Sequence, residues 1–296
     1  MAILDEVSPL ELVIVGTAND HSPYQLNNPT IALHAQQGTL PSDADLVQQT
    51  DEFCSVLERH GAKVLRPKNL EGVLQTFVRD LGFVIDNTFV WCNLKKPNRR
   101  REQAEIRPII DQVDGLKTVQ PPPEIRIEGG DVVLLRGRVL VGVGVDPERA
   151  RTSKDAVEFL KKTFTDKEII PIAIRASDDT QDNPRERVLH LDCGFQPIGA
   201  DSGILFEEGF EGRPEAILDL VRDDHIIHVS GDEMFHLWPN LFSISPNTVI
   251  SARSFTRLNT QIRSLGINVL EVPYEEVAKL GGLFRCSTLP LGRSSS

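Results

Sequence analysis

Apolar positions along this chain fall into short runs, and amphipathic stretches separate them. "ELVIVG" (Glu11–Gly16) is a β-branched run closed by glycine and predicts a buried strand. "DLVQQTDEFCSVLERHG" carries Leu46, Phe53 and Leu57 at helical spacing and stops on Gly61, which predicts an amphipathic helix. Paired apolar runs follow. "GFVIDNTFVWCN" predicts two strands about an Asp86-Asn87-Thr88 turn, and "EIRIEGGDVVLLRGRVLVGVG" two more about Arg136-Gly137. Helices are expected in "RREQAEIRPIIDQV", kinked near Pro108, and in "TSKDAVEFLKKTF", opened by a Thr or Ser cap. Further on, "EIIPIAI", "VLHLDCGF", "HIIHVS" and "INVLEVP" read as strands. "GRPEAILDLVRDD", "SFTRLNTQIRSLG" and "YEEVAKLGG" read as helices, the last one just before a final strand.

The recurring phrase is a strand pair, a helix and another strand. No Pro/Ser/Gly linker divides it, and "TVQPPPE" (118–124), the strongest loop signal, lies inside the pattern. This predicts a single α/β domain over residues 1–296, built from pseudo-repeated units that share no obvious sequence. A doubly wound nucleotide-binding sheet competes with it but lacks a GxGxxG opening a helix; "GVGVDPERARTS" has the wrong spacing.

Composition narrows the partners more than the fold. Of 296 residues, 40 % are hydrophobic and 25 % charged, which is globular composition. The net charge of −11 argues against nucleic acid and anionic membranes as partners. No run reaches the ~18 apolar residues of a membrane span, and no signal peptide is visible at the start. Four cysteines, Cys54, Cys92, Cys193 and Cys286, stand far apart without a CxxC pair, as reduced thiols of a cytoplasmic protein do. Cys54 falls on the apolar helix face, and Cys92 and Cys193 inside strand patterns, so these three read as core residues.

Chemistry concentrates where charged residues interrupt apolar strands, because charges are rarely buried unless paired or functional. Asp80 ends "FVRD", Glu128 and Asp131 flank the glycines of "EGGD", His190 and Asp192 stand in "HLD", and Cys286 follows "GGLFR". If "VLHLDCGF" is extended, His190 and Asp192 share one face and Cys193 points the other way, into the core. Each segment has a bland reading: a structural His–Asp pair, a turn with exposed acids, an ion pair at a strand edge. Together, several carboxylates with one histidine and one cysteine suit a planar cation attacked by sulfur. A guanidinium fits, since carboxylates pair with its fork of N–H donors and a thiolate can reach its central carbon.

In this order, "FVRD", "PNRRRE", "EGGD", "RTS", "HLD" and "GGLFRCST" resemble the motifs of the guanidino-modifying enzymes of the pentein fold: arginine deiminases, dimethylarginine dimethylaminohydrolases, agmatine deiminases and amidinotransferases. The resemblance spans almost the whole chain. It implies a five-bladed pseudosymmetric propeller of ββαβ units with the active site on its axis. It further implies Cys286 as nucleophile, His190 as general acid/base, and Glu128 as support for the histidine and the substrate. Asp80 and Asp192 would bind the guanidinium, with Phe77 packed beside Asp80, and Asp131 would hold the substrate's far end or the loops around it. Arg99, and Arg151 in "RTS", would meet a substrate α-carboxylate, with Arg149 competing for the second position because "VDPERA" precedes "RTS". The implied reaction is hydrolysis of arginine or a close derivative to citrulline through a covalent thiouronium. Transfer to an amine acceptor, or dihydrolysis to ornithine, are the alternatives. The expected partner is a small guanidino substrate, with no cofactor and no metal, and homo-oligomerisation is left open.

Two rival readings remain. "DDHIIHVSGDEMFH" offers His225, His228, Asp232, Glu233 and His236 as metal ligands, although it contains no HExxH. A non-catalytic binder of arginine-like ligands would keep the frame but need neither Cys286 nor His190.

Overall fold

The computed structural model describes residues 2–19, 24, 26, 28–179 and 182–294. Among them the strands form five separate three-stranded sheets. Four sheets share one pattern, an antiparallel hairpin followed by a helix and a parallel return strand. Gly82–Ile85, Thr88–Trp91 and Lys117–Val119 make one of these, and Val132–Leu135, Arg138–Gly144 and Glu168–Ile174 the next. Phe195–Ile198, Ser202–Leu205 and Ile226–His228 follow, and Phe242–Ser245, Thr248–Ala252 and Asn268–Val272 complete the four.

The remaining sheet joins the two ends of the chain. Thr288–Arg293 runs antiparallel to Leu10–Val15, which pairs in parallel with Lys63–Leu65 across the helix Asp43–Arg59. The last strand therefore plays the part of the first strand of a repeat, and its backbone groups are consumed in a ladder. Its neighbourhood is further fixed by aromatic packing. Phe284 lies 5.1 Å from Phe53 and 4.6 Å from Tyr274, ring centre to ring centre, and Phe53, Tyr274 and Phe284 are all fully buried. The segment carrying Cys286 does not fray, although it is close to the C-terminus.

The helices form where their apolar spacing requires, but the expected hydroxyl cap of Lys154–Thr163 is not made: Ser153 stands at its N-cap and donates its hydroxyl to the Arg126 carbonyl instead. In Asp43–Arg59 the Ser42 side chain accepts from the Asp45 backbone N–H, and Leu46, Phe53 and Leu57 are buried on one face. Burying each such side chain contributes ~1.5–3 kcal/mol. Pro108 sits inside the last turn of Arg100–Ile110. The Arg136-Gly137 turn has both residues at positive φ, as the tight hairpin there requires. Among the described residues no helix is long and apolar enough to cross a membrane.

Two expectations from the sequence need correction. "VLHLDCGF" is not one strand: His190 precedes a helical turn, Leu191–Gly194, and the strand begins only at Phe195. "GRPEAILDLVRDD" supplies a helix of four residues only, Glu215–Leu218. Both elements are short, which is where periodicity is weakest at separating helix from strand and at fixing bounds.

Candidate active site

The first strand of each hairpin is preceded by a tight segment that carries a polar residue. Asp80 lies in the turn Val78–Leu81, Asp131 in Gly129–Asp131 and Asp192 in Leu191–Gly194. Asn240 stands just before Phe242–Ser245, and Cys286 just before Thr288–Arg293. These segments bond to one another. The Arg79 backbone N–H donates to the Cys286 carbonyl at 3.1 Å, and the Arg285 N–H donates to the Asn240 carbonyl at 3.3 Å. The Leu191 N–H donates to Asp131 Oδ1 at 2.9 Å, so Asp131 braces the loop that carries His190 and Asp192. Burial pushes the Asp131 carboxyl up to about 7.

His190 is fully buried, with Nε2 at 2.8 Å from Glu128 Oε2 and Nδ1 at 3.7 Å from Asp80 Oδ1. Close packing of the ring explains one glycine of "EGGD": a Cβ on Gly130 would come within 2.7 Å of the imidazole. Burial works against a charge on His190, but Asp80, Asp131 and Glu128 outweigh it and hold the pKa up to about 10. Glu128 is also fully buried. Burial would raise its pKa, yet Arg151 and His190 hold the carboxyl well below the ordinary range. It accepts from Arg151 Nη1 at 3.0 Å and from the Lys95 backbone N–H at 2.9 Å.

Asp80 accepts a guanidinium edge from within the protein: Arg99 Nη1 lies 2.6 Å from its Oδ2. Arg99 also donates to Glu102 at 2.9 Å and to the Phe77 carbonyl at 2.8 Å. The other Asp80 oxygen, Oδ1, and His190 Nδ1 are buried without a hydrogen-bond partner among the described residues. A cavity of about 70 Å³ opens beside Asp80, lined by Phe77, Asp80, Lys96, Arg99, Arg151 and Leu189 among others. The Phe77 ring leaves no room for a Cβ on Gly282, the second glycine of "GGLFRCST". Arg151 is buried and reaches both Glu128 and Asp178, whereas Arg149 is half-exposed and pairs with Asp146 and Asp182. Of the two arginines, Arg151 is the one that lines the cavity.

Cys286 Sγ lies 3.9 Å from Asp192 Oδ2, and the same oxygen accepts from Arg285 Nη1 at 2.8 Å. Arg285 is completely buried and also donates to Glu6 and to the Val132 carbonyl, each at 2.8 Å. Asn240, likewise buried, accepts from the Cys286 and Leu283 N–H groups at 3.0 and 3.3 Å, and donates to the Asp192 carbonyl at 3.3 Å. Its amide ties the thiol's loop to the Asp192 turn. Arg285, Glu6 and Asn240 were not singled out in the sequence. For Arg285 a signal existed, a lone charge inside an apolar run; Glu6 and Asn240 stand in unremarkable contexts.

Two expectations about ligating groups also change. Cys193 does not face away from the site: its Sγ lies 3.5 Å from Asp192 Oδ1, and Asp192, Cys193 and Cys286 offer ligand atoms all within 4.8 Å of one another. Asp80, Glu128 and His190 form a second such triad. These triads are where a metal could be held, whereas the histidine-rich stretch is dispersed. His225 bonds to Asp201, and His236 bonds to its own helix at the Asp232 carbonyl.

A family model described as N,N dimethylarginine dimethylhydrolase, eukaryotic, matches residues 33–293. Uncharacterized protein YkgA of Bacillus subtilis is 31 % identical over 240 residues, covering 78 % of this chain and 77 % of that one. The bifunctional arginine dihydrolase/ornithine cyclodeaminase AgrE of Nostoc is 23 % identical over 247 residues, which is 82 % of this chain but 33 % of AgrE. Among solved structures, SxtG, an amidinotransferase of the saxitoxin pathway of Microseira wollei, superposes with a TM-score of 0.77 at 18 % identity, over 100 % of this chain and 98 % of SxtG. The five sheets are those of the pentein propeller.

Proposed function

The chain belongs to the N,N dimethylarginine dimethylhydrolase family, eukaryotic type, and from that premise we propose that it is a cysteine-dependent hydrolase acting on the guanidinium carbon of arginine or a close derivative. The observation that carries this reading is the buried, unpartnered pair Asp80 Oδ1 and His190 Nδ1, 3.7 Å apart. Asp80 lines a cavity, and its turn is bonded to the segment carrying Cys286 through the Arg79 N–H. An unsatisfied buried carboxylate oxygen costs free energy until a donor reaches it. A guanidinium supplies flat N–H donors and a positive charge together, and Asp80 already takes one such group from Arg99.

In the proposed cycle the Cys286 thiolate attacks the guanidinium carbon, helped by the substrate's positive charge. His190 is an imidazolium at neutral pH because its pKa stands near 10, so it can protonate the departing amine or ammonia. The neutral imidazole left behind then takes a proton from water, which opens the thiouronium to the ureido product and regenerates the thiol. Glu128 orients the ring through Nε2. Arg99 and Arg151 stand where a substrate carboxylate could reach them, in competition with Glu102 and Asp178.

The whole chain is proposed as one catalytic unit, since the site draws on residues from both ends. Hydrolysis is tested by mass spectrometry of the products from arginine, methylated arginine and agmatine, each with and without glycine as acceptor. Citrulline with ammonia or a methylamine upholds the proposal. A new guanidino compound formed only with glycine would make the protein an amidinotransferase, and ornithine would make it a dihydrolase. No turnover of any guanidino compound would overturn the reading.

The protonation states give a pH prediction. kcat/KM should hold through neutral pH and fall as pH rises through about 10, where His190 loses its proton. Glu128→Gln removes one of the charges that keep the imidazole protonated, so this alkaline limb should move toward neutrality. An unmoved limb would take His190 out of the acid role. A further expectation concerns Asn240. Asn240→Ala leaves the Cys286 and Leu283 N–H groups without their side-chain acceptor. The variant should lose kcat by roughly ten- to a hundred-fold with KM little changed, since a misplaced nucleophile harms attack more than binding. Slowed alkylation of Cys286 by iodoacetamide would accompany the loss.

A further inference from the structure

We propose that Cys193 and Cys286 together form a reversible oxidation site, in which a hydroperoxide oxidises the Cys286 sulfur and Cys193 resolves the product as a disulfide. The inference rests on the reading of Cys286 as the reactive thiol, and it gives a role to a buried thiol that hydrolysis does not use. Both residues are free cysteines with at most 3 % of their surface exposed. The Asp192 carboxylate lies between them, with Cys193 Sγ at 3.5 Å from Oδ1 and Cys286 Sγ at 3.9 Å from Oδ2. All three ligand atoms are within 4.8 Å of one another, whereas a disulfide needs its sulfurs at about 2.05 Å. Cys193 sits on a four-residue helical turn and Cys286 in a turn before a strand, so both side chains can rotate without breaking a ladder.

Cys193 is held well above its ordinary range, first by the neighbouring Cys286, then by burial and by Asp192. A thiol that keeps its proton is a poor first target for peroxide, because the thiolate is the nucleophile. A second cavity, of about 60 Å³, is lined by Cys193, Leu189, Leu237 and Gly281 among others, so the resolving thiol borders open space into which its side chain can move. Cys54, on the helix Asp43–Arg59, accepts from Arg66 Nη1 and is far from this pair in sequence and in partners.

The chemistry balances in two steps. The Cys286 thiolate attacks one peroxide oxygen and the O–O bond breaks. Sulfur is oxidised to a sulfenic acid, and the other oxygen leaves as water after taking a proton. Cys193 sulfur then attacks Cys286 sulfur, the S–O bond breaks, and the Cys193 proton leaves with the hydroxyl as a second water. A dithiol reductant reverses the disulfide and restores both thiols.

The test treats the whole protein with hydrogen peroxide, blocks remaining thiols by alkylation and maps peptides without reduction. The expected result is a peptide pair linked through Cys193 and Cys286, activity falling to below ~10 % and dithiothreitol restoring most of it. In Cys193→Ser the sulfenic acid has no resolving partner, so Cys286 should gain two or three oxygens and activity should not return. A sulfinic Cys286 in the untreated-sequence protein with no linked peptide, or full recovery of Cys193→Ser by reductant, would overturn the proposal. Because the peptide map reads thiols and not turnover, the two readings can fail separately. A linked pair in a protein whose Cys286→Ser variant still turns over would sink the functional reading and leave the oxidation site standing.

Discussion

Replacing Cys286 with serine should reduce turnover of the guanidino substrate by about four to six orders of magnitude while leaving the fold intact. Serine is close in volume to cysteine, and the contacts that fix this position are made by backbone: the N–H to Asn240 and the carbonyl to the Arg79 N–H. The packing is therefore kept and only the sulfur is lost. A hydroxyl is a far weaker nucleophile near neutral pH than a thiolate. Steady-state kinetics together with far-UV circular dichroism checks the claim. A folded Cys286→Ser protein with more than about a tenth of the native rate would remove the covalent scheme.

The second large effect falls on stability. Arg285→Met should destabilise the protein by ~3–5 kcal/mol, because it leaves Glu6 and Asp192 buried without the guanidinium between them. Arg285 is fully buried and spans the N-terminal segment, the Asp192 turn and the strand that begins at Val132. Burial alone would raise the Glu6 carboxyl, yet Arg285 and Arg79 bring it down to about 2. The sign follows from that depression. Glu6 contributes stability in full above its unfolded value of 4.5, and the contribution is lost as pH falls toward about 2. In Arg285→Met the depression is relieved, so this acid-side loss should shrink. Urea midpoints between pH 3 and pH 7 measure both effects, and adding Glu6→Gln to Arg285→Met should recover part of the loss. A midpoint unchanged by Arg285→Met would mean that the buried network holds nothing together.

Much of the fold was legible along the chain because hairpins and amphipathic helices have local causes. Alternation, caps and the Arg136-Gly137 and Asp86-Asn87 turns are written within a few residues of one another. The failures occur at the turns that carry the site. "VLHLDCGF" has the composition of a buried strand, yet it bends into a helical turn so that the Leu191 N–H can reach Asp131, 60 residues earlier in the chain. That bend reverses the alternation on which the placing of Cys193 depended, and it moves this thiol from the far face to the side of Asp192.

The site followed the same division. Asp80, Glu128, His190, Asp192 and Cys286 could be named from their motifs, since charged residues and a lone thiol among apolar strands already require an explanation. What no local pattern contained was the set of partners: Arg285 with Asp192, Arg99 with Asp80, and Asn240 under the thiol loop.

The sequence by itself determined the repeating strand-pair-and-helix elements and the residue types able to grip and attack a flat cation. Local sterics and hydrophobic period act over a few residues, so those features need no distant neighbour. Only the tertiary structure decided which acids are occupied, which ring atoms remain unpartnered and which cysteine stands beside Cys286. Closure of the last strand onto the first brings segments separated by as many as 279 residues into hydrogen-bond contact, as Arg285 and Glu6 are. At that range burial and charge, not local propensity, set the geometry.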